Sequence, residues 1–584
     1  MPSAVPSALR AVLGAALALL AAFAPAAAQT RAEPEAATGR AATPLATAER
    51  HMIVAANPHA SEAGLAVLRA DGSAADAAVA ALLVLNVVEP QSSGLGGGAF
   101  ALVDGPDGLL AWDARETAPA AATPELFLEN GRPMPWIEAS ETGRAVGVPG
   151  LVQLLEVLHG RHGRLAWRAL FRPAIRLARE GFAVSPRLAG LTRRLRGRLA
   201  RTEAGAVFLR EGRPLEAGEI LRQPELADTL ERIAKGGARA FHTGPVAEAI
   251  LAAVGREPRP GALDADDLAG YRVIPRAPVC MLYRAAWRVC GMGPPSSGAT
   301  TVGQILGLLA ETTPQGIAED GPRIAHLLAE ASRLAYADRA AYLGDPAVVE
   351  VPVAGLLDPG YLARRAALIA PARASEGPAE AGDPPDRPPR PPPQLSDTSP
   401  GTTHLSVIDA DGLAISVTAS IETAFGSGRM AAGVLLNNPL TDFSSRPRGP
   451  DGRPIANGPG PGKRPRSSMA PTIVYEAGGE APRLLLGSPG GSRIPEYVAG
   501  ALVGLLDLGL DPAEAAARRH VSHRNRGEVV LEEGSAPALA EALRAMGHAV
   551  SEAPMTSGLH IIRAGDAGLE GGADPRREGV ALGD

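Results

Sequence analysis

Hydrophobic positions along the chain recur with two periods, one typical of helices and one typical of strands. From Met52 onward the two patterns alternate, which predicts a fold that mixes helices with short strands. Helical spacing is clear in two alanine- and leucine-rich stretches within residues 61–90, and in residues 164–181 and 224–237, which both end at glycine. Residues 322–346 predict one long amphipathic helix.

Strand-like alternation is strongest in residues 404–420, HLSVIDADGLAISVTAS. The alternation runs on both sides of Asp-Ala-Asp-Gly, so the segment predicts a β-hairpin. Residues 279–283 and 287–290 predict a second hairpin, which would bring Cys280 and Cys290 close together. The sequence leaves open whether these cysteines form a disulfide or remain two buried thiols.

Residues 375–401, SEGPAEAGDPPDRPPRPPPQLSDTSPG, break both patterns. Their proline density excludes a helix or a central strand, so we expect an extended linker or a disordered tail. The strand pattern begins directly after this segment, with Thr402 and Thr403 at its start. A threonine therefore stands where a mobile arm is expected to meet a rigid strand.

The first 28 residues have the pattern of a secretory signal peptide. Arg10 precedes an apolar run at residues 11–24, and small residues lead to Gln29, which places cleavage after Ala28. An uncleaved membrane anchor is the alternative, but the run is shorter than the roughly 20 residues that span a bilayer. We expect an exported protein, most simply periplasmic, with no membrane attachment once residues 1–28 are removed. Export also permits a disulfide.

Composition narrows the function classes. The 584 residues are 46% hydrophobic and 21% charged, which is ordinary for a globular protein with a large core. A net charge of −6 provides no basic surface for nucleic acid. His520 and His523 have no accompanying ligand cluster in the sequence, so we expect neither a metal nor an organic cofactor.

The position of Thr402 suits one kind of nucleophile. A threonine hydroxyl reacts when a base takes its proton, and the α-amino group of the same residue is one such base. That amine has a pKa of roughly 7.7–8.0, but it becomes free only when the preceding peptide bond is cut. Such a cut requires a small preceding residue, a mobile arm and a rigid strand, and Gly401 supplies the first. The alternative is a linker followed by an ordinary edge strand.

Two later loops are rich in small residues and backbone N–H groups. Residues 467–472 read SSMAPT, and residues 487–493 read GSPGGSR. Gly490 and Gly491 allow the backbone to approach a ligand closely, and their N–H groups are candidates for an oxyanion hole. Each loop alone is also compatible with a plain turn.

Taken together and in order, these motifs resemble the gamma-glutamyltransferase (glutathione hydrolase) family. The resemblance rests on TTHLSVIDADG, the Phe-Gly at residues 425–426, LLNNPLTDFS, PGKRPRSSMAPT and LLGSPGGSR, with EPQSSGLGGGAF, DARETAP, AVGVPG and GMGPPSSG in the N-terminal half. It implies an N-terminal-nucleophile hydrolase, an α/β (α+β) fold in which two stacked sheets lie between helical layers (αββα). It also implies a proenzyme that cuts itself between Gly401 and Thr402. The products would be a large subunit, residues 29–401, and a small catalytic subunit, residues 402–584, which form a heterodimer.

The resemblance also implies a role for each matching residue. Thr402 would attack the γ-glutamyl carbonyl, and Ser420 would hydrogen-bond this nucleophile. Gly490 and Gly491 would hold the oxyanion. Recognition of the substrate's α-carboxylate and α-ammonium would fall to five residues: Arg115, Ser467 and Ser468 for the carboxylate, and Asp442 and Glu422 for the ammonium.

Two positions in or near this set depart from the family pattern. Glu422 replaces a common asparagine, and Pro439 replaces a common Gln or Glu. A proline side chain cannot bind an ammonium, so we expect Glu422 to compensate. Residues 444–462 correspond to the family's lid over the substrate and contain no aromatic residue. We therefore expect a pocket that is more open to water or to large acceptors.

These roles imply a self-processing hydrolase and transpeptidase that cleaves glutathione and related γ-glutamyl amides through an ester on Thr402. Water would complete hydrolysis, and an amino acid or dipeptide would complete transfer. Three alternatives remain: an acylase of the same fold for glutaryl-type amides, a processed but inactive binding homologue, and a transpeptidase that attaches poly-γ-glutamate to an envelope.

Overall fold

Two seven-stranded sheets stack on each other and lie between layers of helices. This arrangement is seen in a computed structural model, which describes residues 43–394 and 401–584. It is the αββα sandwich of N-terminal-nucleophile hydrolases, so the expected fold class is confirmed.

The strands of the two sheets are numbered here in chain order. They are β1 (Ala46–Ala48), β2 (Met52–Ala55), β3 (Gly98–Gly105), β4 (Gly108–Ala114), β5 (Ile274–Arg276), β6 (Val279–Tyr283), β7 (Trp287–Gly291), β8 (Gly401–Ile408), β9 (Ala414–Glu422), β10 (Thr472–Glu476), β11 (Pro482–Leu486), β12 (His560–Gly565), β13 (Gly568–Ala573) and β14 (Val580–Gly583). The first sheet has the order β1-β13-β12-β11-β10-β7-β6, and the second has the order β5-β4-β3-β9-β8-β2-β14. Neighbouring strands are antiparallel in both sheets.

Helices cover the outer faces of the sandwich. The long ones are α1 (Pro58–Arg69), α2 (Ala74–Val88), α3 (Leu151–His162), α4 (Trp167–Glu180), α5 (Pro224–Gly236), α6 (Gly298–Thr312), α7 (Pro322–Tyr342) and α8 (Ile494–Leu506). Shorter helices occupy Trp136–Ser140, Pro186–Arg194, Arg196–Leu199, Gly205–Phe208, Arg239–His242, Pro245–Val254, Ala265–Gly270, Val353–Leu356, Pro359–Ala366, Pro512–Ala517 and Pro537–Ala545. Short strands outside the two sheets occupy Leu128–Glu129, Arg132–Pro133, Phe182–Ala183, Leu209–Arg210, Arg213–Pro214, Ile220–Leu221, Met430–Ala431, Val434–Leu435, Val521–Ser522, Val529–Glu532 and Val550–Ala553.

Alternation along the strands of the second sheet assigns neighbouring side chains to two different apolar layers. In β2, Ile53 packs against the helices α1 to α3, whereas Val54 packs into the apolar layer between the two sheets. In β3, Ala101 and Leu102 divide in the same way. Both faces of this sheet are therefore covered, and β8 is buried along its whole length.

The hairpin predicted for residues 404–420 is confirmed as β8 and β9, which pair without interruption from Thr402–Ser420 to Ile408–Ala414. The helices predicted within residues 61–90, 164–181 and 224–237 are confirmed as α1, α2, α4 and α5. β8 lies between β9 and β2, so it is an internal strand and not an edge strand.

Helix α7 is confirmed in position, but the prediction that it is amphipathic is wrong. Its side chains are buried on nearly every side from Ile324 to Tyr342. The helix packs against α6, against the strand Val521–Ser522 and against the helix Pro537–Ala545, so several layers enclose it. Polar residues on α7 therefore face the protein interior.

The proline-rich segment contains neither helix nor strand over residues 375–394, as expected, but it is anchored along α7. The Ser375 hydroxyl donates to Glu330 at 2.7 Å, and the Gly382 N–H donates to Asp338 at 2.8 Å. The N–H of Gln394 donates to the carbonyl oxygen of Ala340 at 3.0 Å, also on this helix. The high proline content prevents this segment from pairing as a strand, but the segment is still held in place by hydrogen bonds to α7.

Two further expectations concern the membrane. No helix among residues 43–394 and 401–584 is both long enough and apolar enough to span a bilayer. The signal peptide predicted for residues 1–28 lies outside the described residues.

The second predicted hairpin is confirmed as β6 and β7. Cys280 and Cys290 stand directly opposite each other in its ladder, with Cα atoms 4.0 Å apart, and their sulfurs form a disulfide. Because β6 is the edge strand of the first sheet, the disulfide fastens that edge to β7.

This disulfide predicts a measurable loss of stability when it is removed. The variant Cys280→Ser/Cys290→Ser should unfold with a free energy lower by about 2–3 kcal/mol in denaturant titrations, because the short closed loop no longer restricts the unfolded chain. Reductant should lower the stability of the wild type to the same level and leave the variant unchanged. Uptake of iodoacetamide by the unreduced, unfolded wild type would contradict the assignment.

Candidate active site

A pocket opens beside the start of β8, and seven of the nine candidate catalytic and substrate-binding residues line it. Its lining consists of Arg115, Arg339, Gln394, Thr402, Ser420, Glu422, Asp442, Arg466, Ser467, Ser468, Met469, Ser492 and Ile494. The remaining two candidates, Gly490 and Gly491, directly precede Ser492 in the chain. Residues that lie up to about 380 positions apart in the sequence thus meet at one place.

Thr402 is the second residue of β8 and is almost fully buried. Side chains of a strand alternate between faces, so Thr402 shares a face with His404 and Ser406. Ser406 donates to the carbonyl oxygen of His560 in the first sheet at 3.0 Å, so this face looks into the space between the sheets. The register of β8 against β9 shifts between Gly401 and Thr402, which marks a β-bulge at the bond predicted to be cut.

Ser420 connects the candidate nucleophile to that bond. The Thr402 hydroxyl donates to Ser420 Oγ at 3.3 Å, and Ser420 Oγ donates in turn to the carbonyl oxygen of Gly401 at 2.5 Å. The N–H of Glu422 donates to Ser420 Oγ at 2.9 Å. Cross-strand register explains the contact, because Thr402 and Ser420 are partners in the ladder.

A buried arginine near the C-terminus, Arg577, binds the main chain of Thr402. Arg577 Nη1 donates to the carbonyl oxygen of Thr402 at 3.1 Å, while its other nitrogens donate to the carbonyls of Thr556 and Ser557. The main chain at Thr402 is therefore fixed both by the strand ladder and by a guanidinium group.

His404 lies two residues beyond the candidate nucleophile, but its ring nitrogens are engaged elsewhere. Nδ1 lies 2.8 Å from Thr418 Oγ1, and Nε2 lies 3.2 Å from Ser406 Oγ. Burial holds the pKa of His404 well below its ordinary value, and His560 adds to the effect. This neutral, hydrogen-bonded imidazole is part of the framework between the sheets.

The backbone of the second glycine-rich loop has a conformation that requires glycine. Gly490 has φ +135°, and a Cβ there would lie 2.4 Å from the ring of Tyr497. Gly491 begins a 3₁₀ turn, Gly491–Arg493, that continues directly into α8. The loop therefore stands at a helix N-terminus, where free N–H groups and the helix dipole favour negative charge.

Arg115 is buried at the centre of a cluster of carboxylates. Its Nη2 lies 2.5 Å from Asp442 Oδ2, and its Nη1 lies 3.4 Å from Glu116 Oε2 and 3.9 Å from Glu422 Oε2. Burial acts to lower the pKa of Arg115, but the three carboxylates outweigh burial and raise it. The guanidinium is therefore charged and shared among several acids.

Burial changes the pKa of one acid of this cluster, Glu116. Burial raises the pKa of Glu116 to about 7, against the opposing effect of Arg115. Its Oε1 has no hydrogen-bond partner among the described residues. A proton on this carboxyl group near neutral pH is consistent with both observations.

The loop at residues 467–472, called the serine loop below, is held in place by Arg339 of α7. Arg339 Nη2 donates to Ser468 Oγ at 2.7 Å, and Arg339 Nε donates to Ser297 Oγ at 2.9 Å. Ser297 Oγ then donates to the carbonyl oxygen of Ser467 at 2.8 Å. Arg466, which precedes the two serines, donates to the carbonyl oxygen of Arg339 at 2.9 Å.

Sequence reasoning missed several residues of the pocket and its surroundings. They are Glu116, Arg339, Gln394, Arg466, Ser492 and Arg577. Helix α7 carries several charged residues, so its sequence did not single out Arg339. For Gln394 and Arg577 the sequence contains no signal either.

The stacked sheets, with a candidate threonine nucleophile at the start of an internal strand, define an N-terminal-nucleophile hydrolase. Comparison with known proteins identifies the family within this class. The profile of the Gamma-glutamyltranspeptidase family matches residues 60–584, and the chain belongs to that family of enzymes.

Three known proteins illustrate the relationship. The glutathione hydrolase proenzyme of Bacillus subtilis (strain 168) is 36% identical over 546 residues, which cover 91% of this chain and 91% of that protein. A crystal structure of cephalosporin acylase from Bacillus halodurans has a TM-score of 0.81 and 27% identity, and covers 93% of this chain and 97% of its own. The crystal structure of Helicobacter pylori gamma-glutamyltranspeptidase has a TM-score of 0.51 and 36% identity, with 55% of this chain and 91% of that chain covered.

The raised pKa of Glu116 predicts a specific pH dependence of stability. The unfolded chain releases this proton near the ordinary pKa of 4.5, but the folded protein keeps it until about pH 7. Between these values the folded state binds the extra proton, so a rise in pH lowers the stability of the wild type. Glu116→Gln cannot lose a proton and should not show this component of the decrease.

Denaturant unfolding of both proteins at pH 5, 6, 7 and 8 tests this prediction. The free energy of unfolding of Glu116→Gln minus that of the wild type should rise with pH, by up to about 1.4 kcal/mol per unit, and level off above pH 7. Titrating groups outside this cluster are common to the two proteins, so their contributions cancel. A difference that does not change with pH would show that Glu116 ionises normally in the folded state.

Proposed function

We propose that this protein cuts itself between Gly401 and Thr402 and then hydrolyses or transfers γ-glutamyl groups through an ester on Thr402. The carrying observation is the chain of hydrogen bonds from the Thr402 hydroxyl through Ser420 to the carbonyl oxygen of Gly401, beside a pocket that holds both an arginine and carboxylates. The products of the cut are a large subunit, residues 29–401, and a small subunit, residues 402–584.

Self-cleavage follows from this geometry in two steps. The Thr402 hydroxyl oxygen bonds to the carbonyl carbon of Gly401, the C–N bond breaks, and the hydroxyl proton ends on the released amine. Ser420 assists by its hydrogen bond to the carbonyl oxygen, on which negative charge develops. Water then hydrolyses the ester, which leaves a carboxylate on Gly401 and a free amine and hydroxyl on Thr402.

The free amine of Thr402 is then the base for turnover. Its ordinary pKa near 8 lets it take the hydroxyl proton at neutral pH. The hydroxyl oxygen attacks the γ-carbonyl of the donor, and the N–H groups of Gly490 and Gly491 hold the oxyanion. The departing amine takes the proton, and water or an acceptor amine later cleaves the γ-glutamyl ester.

The charges of the pocket fit the α-carbon end of a glutamyl group. Arg115 receives the α-carboxylate as a charge-assisted pair, with Ser467 and Ser468 as additional donors. Asp442 and Glu422 receive the α-ammonium. Arg115 and Asp442 contact each other directly. A bound substrate therefore contacts both residues: its α-carboxylate pairs with the guanidinium of Arg115, and its α-ammonium pairs with the carboxylate of Asp442.

The donor that best fits this assignment is glutathione or a related γ-glutamyl amide, with amino acids or dipeptides as acceptors. The name of the Bacillus subtilis relative, glutathione hydrolase proenzyme, supports this donor class. We also propose export to the periplasm, with residues 1–28 removed, on the basis of the leader pattern.

A glutaryl-type amide acylase is the second candidate. The structural similarity to a cephalosporin acylase favours it, and so does Pro439, which offers no side-chain acceptor near the pocket. Two buried or half-buried carboxylates at the pocket favour an α-ammonium instead, since a glutaryl group has no positive charge to balance them.

A pair of donors separates the two candidates. The wild type should cleave L-γ-glutamyl-p-nitroanilide with a kcat/KM at least about 100-fold above that for glutaryl-p-nitroanilide, which lacks only the amine. Asp442→Asn and Glu422→Gln should each lower kcat/KM for the γ-glutamyl donor by about 10- to 100-fold and leave the glutaryl donor little changed. Release of p-nitroaniline provides the measurement.

Asp411→Asn is the matched control, because this exposed carboxylate lies in the turn between β8 and β9, at the far end of the hairpin. It should behave as the wild type. A wild type that cleaves both donors equally would establish the acylase, and one that cleaves neither would establish a binding homologue. Full activity of Glu422→Gln would remove Glu422 from the recognition site.

A further inference from the structure

One face of α7 carries two polar side chains that end at the candidate active site. Tyr336 and Arg339 are three residues apart, so they lie on the same face of the helix. Both are buried, and Arg339 Cζ lies 5.5 Å from the centroid of the Tyr336 ring. The helix belongs to the proposed large subunit, whereas the two loops considered next belong to the proposed small subunit. The mechanism above assigns neither residue a role.

Tyr336 holds the turn that carries the candidate oxyanion donors. Its hydroxyl donates to the carbonyl oxygen of Ser492. Ser492 is the middle residue of the 3₁₀ turn Gly491–Arg493, and its side chain accepts from Arg524 Nη1 at 2.6 Å. Since this carbonyl directly follows the two candidate glycines, the tyrosine fixes the stretch of main chain that presents their N–H groups.

Arg339 holds the serine loop and the residue before it. Its guanidinium donates to Ser468 directly and also to Ser297, which in turn donates to the carbonyl oxygen of Ser467. The main chain takes part as well, because Arg466 Nη1 donates to the carbonyl oxygen of Arg339. Three successive residues are therefore attached to one turn of α7, directly or through Ser297.

Arg339 also determines which hydrogen bond the Ser468 hydroxyl can make. A guanidinium group has no acceptor, so Ser468 Oγ accepts from Arg339 and must direct its own hydrogen elsewhere. In the same way, Ser467 Oγ accepts from the N–H of Met469 at 3.1 Å. Within residues 43–394 and 401–584, no residue accepts a hydrogen bond from either hydroxyl. Because both serines line the pocket, their hydroxyls are left as donors to an anionic group bound there.

Apolar packing sets the position of α7 relative to the glycine loop, residues 487–493. Leu334 and Ala335 belong to the buried cluster that also contains Leu485 of β11 and Ile494 of α8. Strand β11 leads into the glycine loop, and α8 leads out of it. The hydrogen bonds from α7 to the glycine loop and the serine loop are made to residues outside the proline-rich segment.

We propose that Tyr336 and Arg339 are positioning residues of the γ-glutamyl site, supplied by one helix of the large subunit. Arg339 orients the Ser468 hydroxyl as a donor to the substrate α-carboxylate, and Tyr336 fixes the turn whose N–H groups hold the oxyanion. The helix thereby sets the distance between the subsites for the two ends of the donor's glutamyl group. This proposal rests on the function proposed above.

The variant Arg339→Met tests the role of the arginine with two donors that differ only in the α-carboxylate. KM for L-γ-glutamyl-p-nitroanilide should rise about 10-fold while kcat stays within about 3-fold, because the carboxylate loses an oriented donor that does not touch the reacting atoms. For 4-aminobutyryl-p-nitroanilide, which lacks the carboxylate, kcat/KM should change by less than about 2-fold. Arg339→Lys keeps the charge and one donor, so its KM should be intermediate, and it carries the test if the methionine variant does not fold.

A double-mutant cycle separates positioning through Ser468 from a general loosening of the pocket. Ser468→Ala should raise KM for the γ-glutamyl donor. Adding Arg339→Met should then raise KM by less than about 3-fold more, because the hydroxyl that Arg339 orients is already absent. Effects that multiply in full would overturn the role of Arg339, and so would a fall in kcat/KM of equal size for both donors.

The variant Tyr336→Phe tests the role of the tyrosine, because it removes the hydroxyl and keeps the ring. Since an oxyanion forms with either donor, kcat for the γ-glutamyl donor and kcat/KM for the 4-aminobutyryl donor should both fall about 5- to 10-fold, with KM for the γ-glutamyl donor within about 2-fold. Self-cleavage should be complete, because Ser420 contacts the carbonyl oxygen of Gly401. Wild-type kcat in this variant would overturn the role of Tyr336.

Two matched controls lie on the same helix. Tyr342→Phe removes another buried tyrosine hydroxyl, which donates to the carbonyl oxygen of Gly382 at 2.6 Å, and Arg323→Met makes the arginine substitution at an exposed position. Both variants should have wild-type constants. A wild type without γ-glutamyl activity would instead refute the proposed function, so the two failures are distinguishable.

Discussion

The hydrogen bond between Ser420 and the carbonyl oxygen of Gly401 is the contact on which the proposed chemistry depends. It exists because β8 and β9 pair with Thr402 opposite Ser420, which places the carbonyl oxygen of Gly401 2.5 Å from the Ser420 hydroxyl oxygen. A shift of one residue in this register would move Thr402 to the helix-facing side of the sheet. The buried apolar layers on both faces of the sheet hold the register, and so protect the geometry at Thr402.

The second constraint is electrostatic. Arg115 is buried among three carboxylates, and such a charge is tolerated only where opposite charges and hydrogen bonds replace water. Under the proposed function, the opposite charges of this cluster are complementary to the α-carboxylate and the α-ammonium of a γ-glutamyl group. Binding of such a substrate would exchange ion pairs within the protein for ion pairs with the substrate, and would leave no charge of the cluster unpaired.

Local patterns were sufficient to predict the elements but not their surroundings. Period-two alternation identified the β8–β9 hairpin, and helical spacing identified α1, α2, α4 and α5, because these signals reside in neighbouring residues. The prediction that α7 is amphipathic was wrong, since layers from distant parts of the chain enclose that helix. The proline-rich arm was expected to be an extended linker or a disordered tail, and its anchors on α7 depend on side chains that no local pattern relates to it. Family motifs brought together Arg115, Thr402 and the serine loop, whereas Gln394 and Arg577 reach the site only through tertiary contacts.

The intact masses of the purified wild type and of Thr402→Ala test the central claim most directly. The account predicts two wild-type chains, the smaller with the mass of residues 402–584, and a single uncut Thr402→Ala chain that contains both halves. A wild type that remains one chain, or a Thr402→Ala protein that is still cut before position 402, would contradict the assignment of Thr402 as the nucleophile.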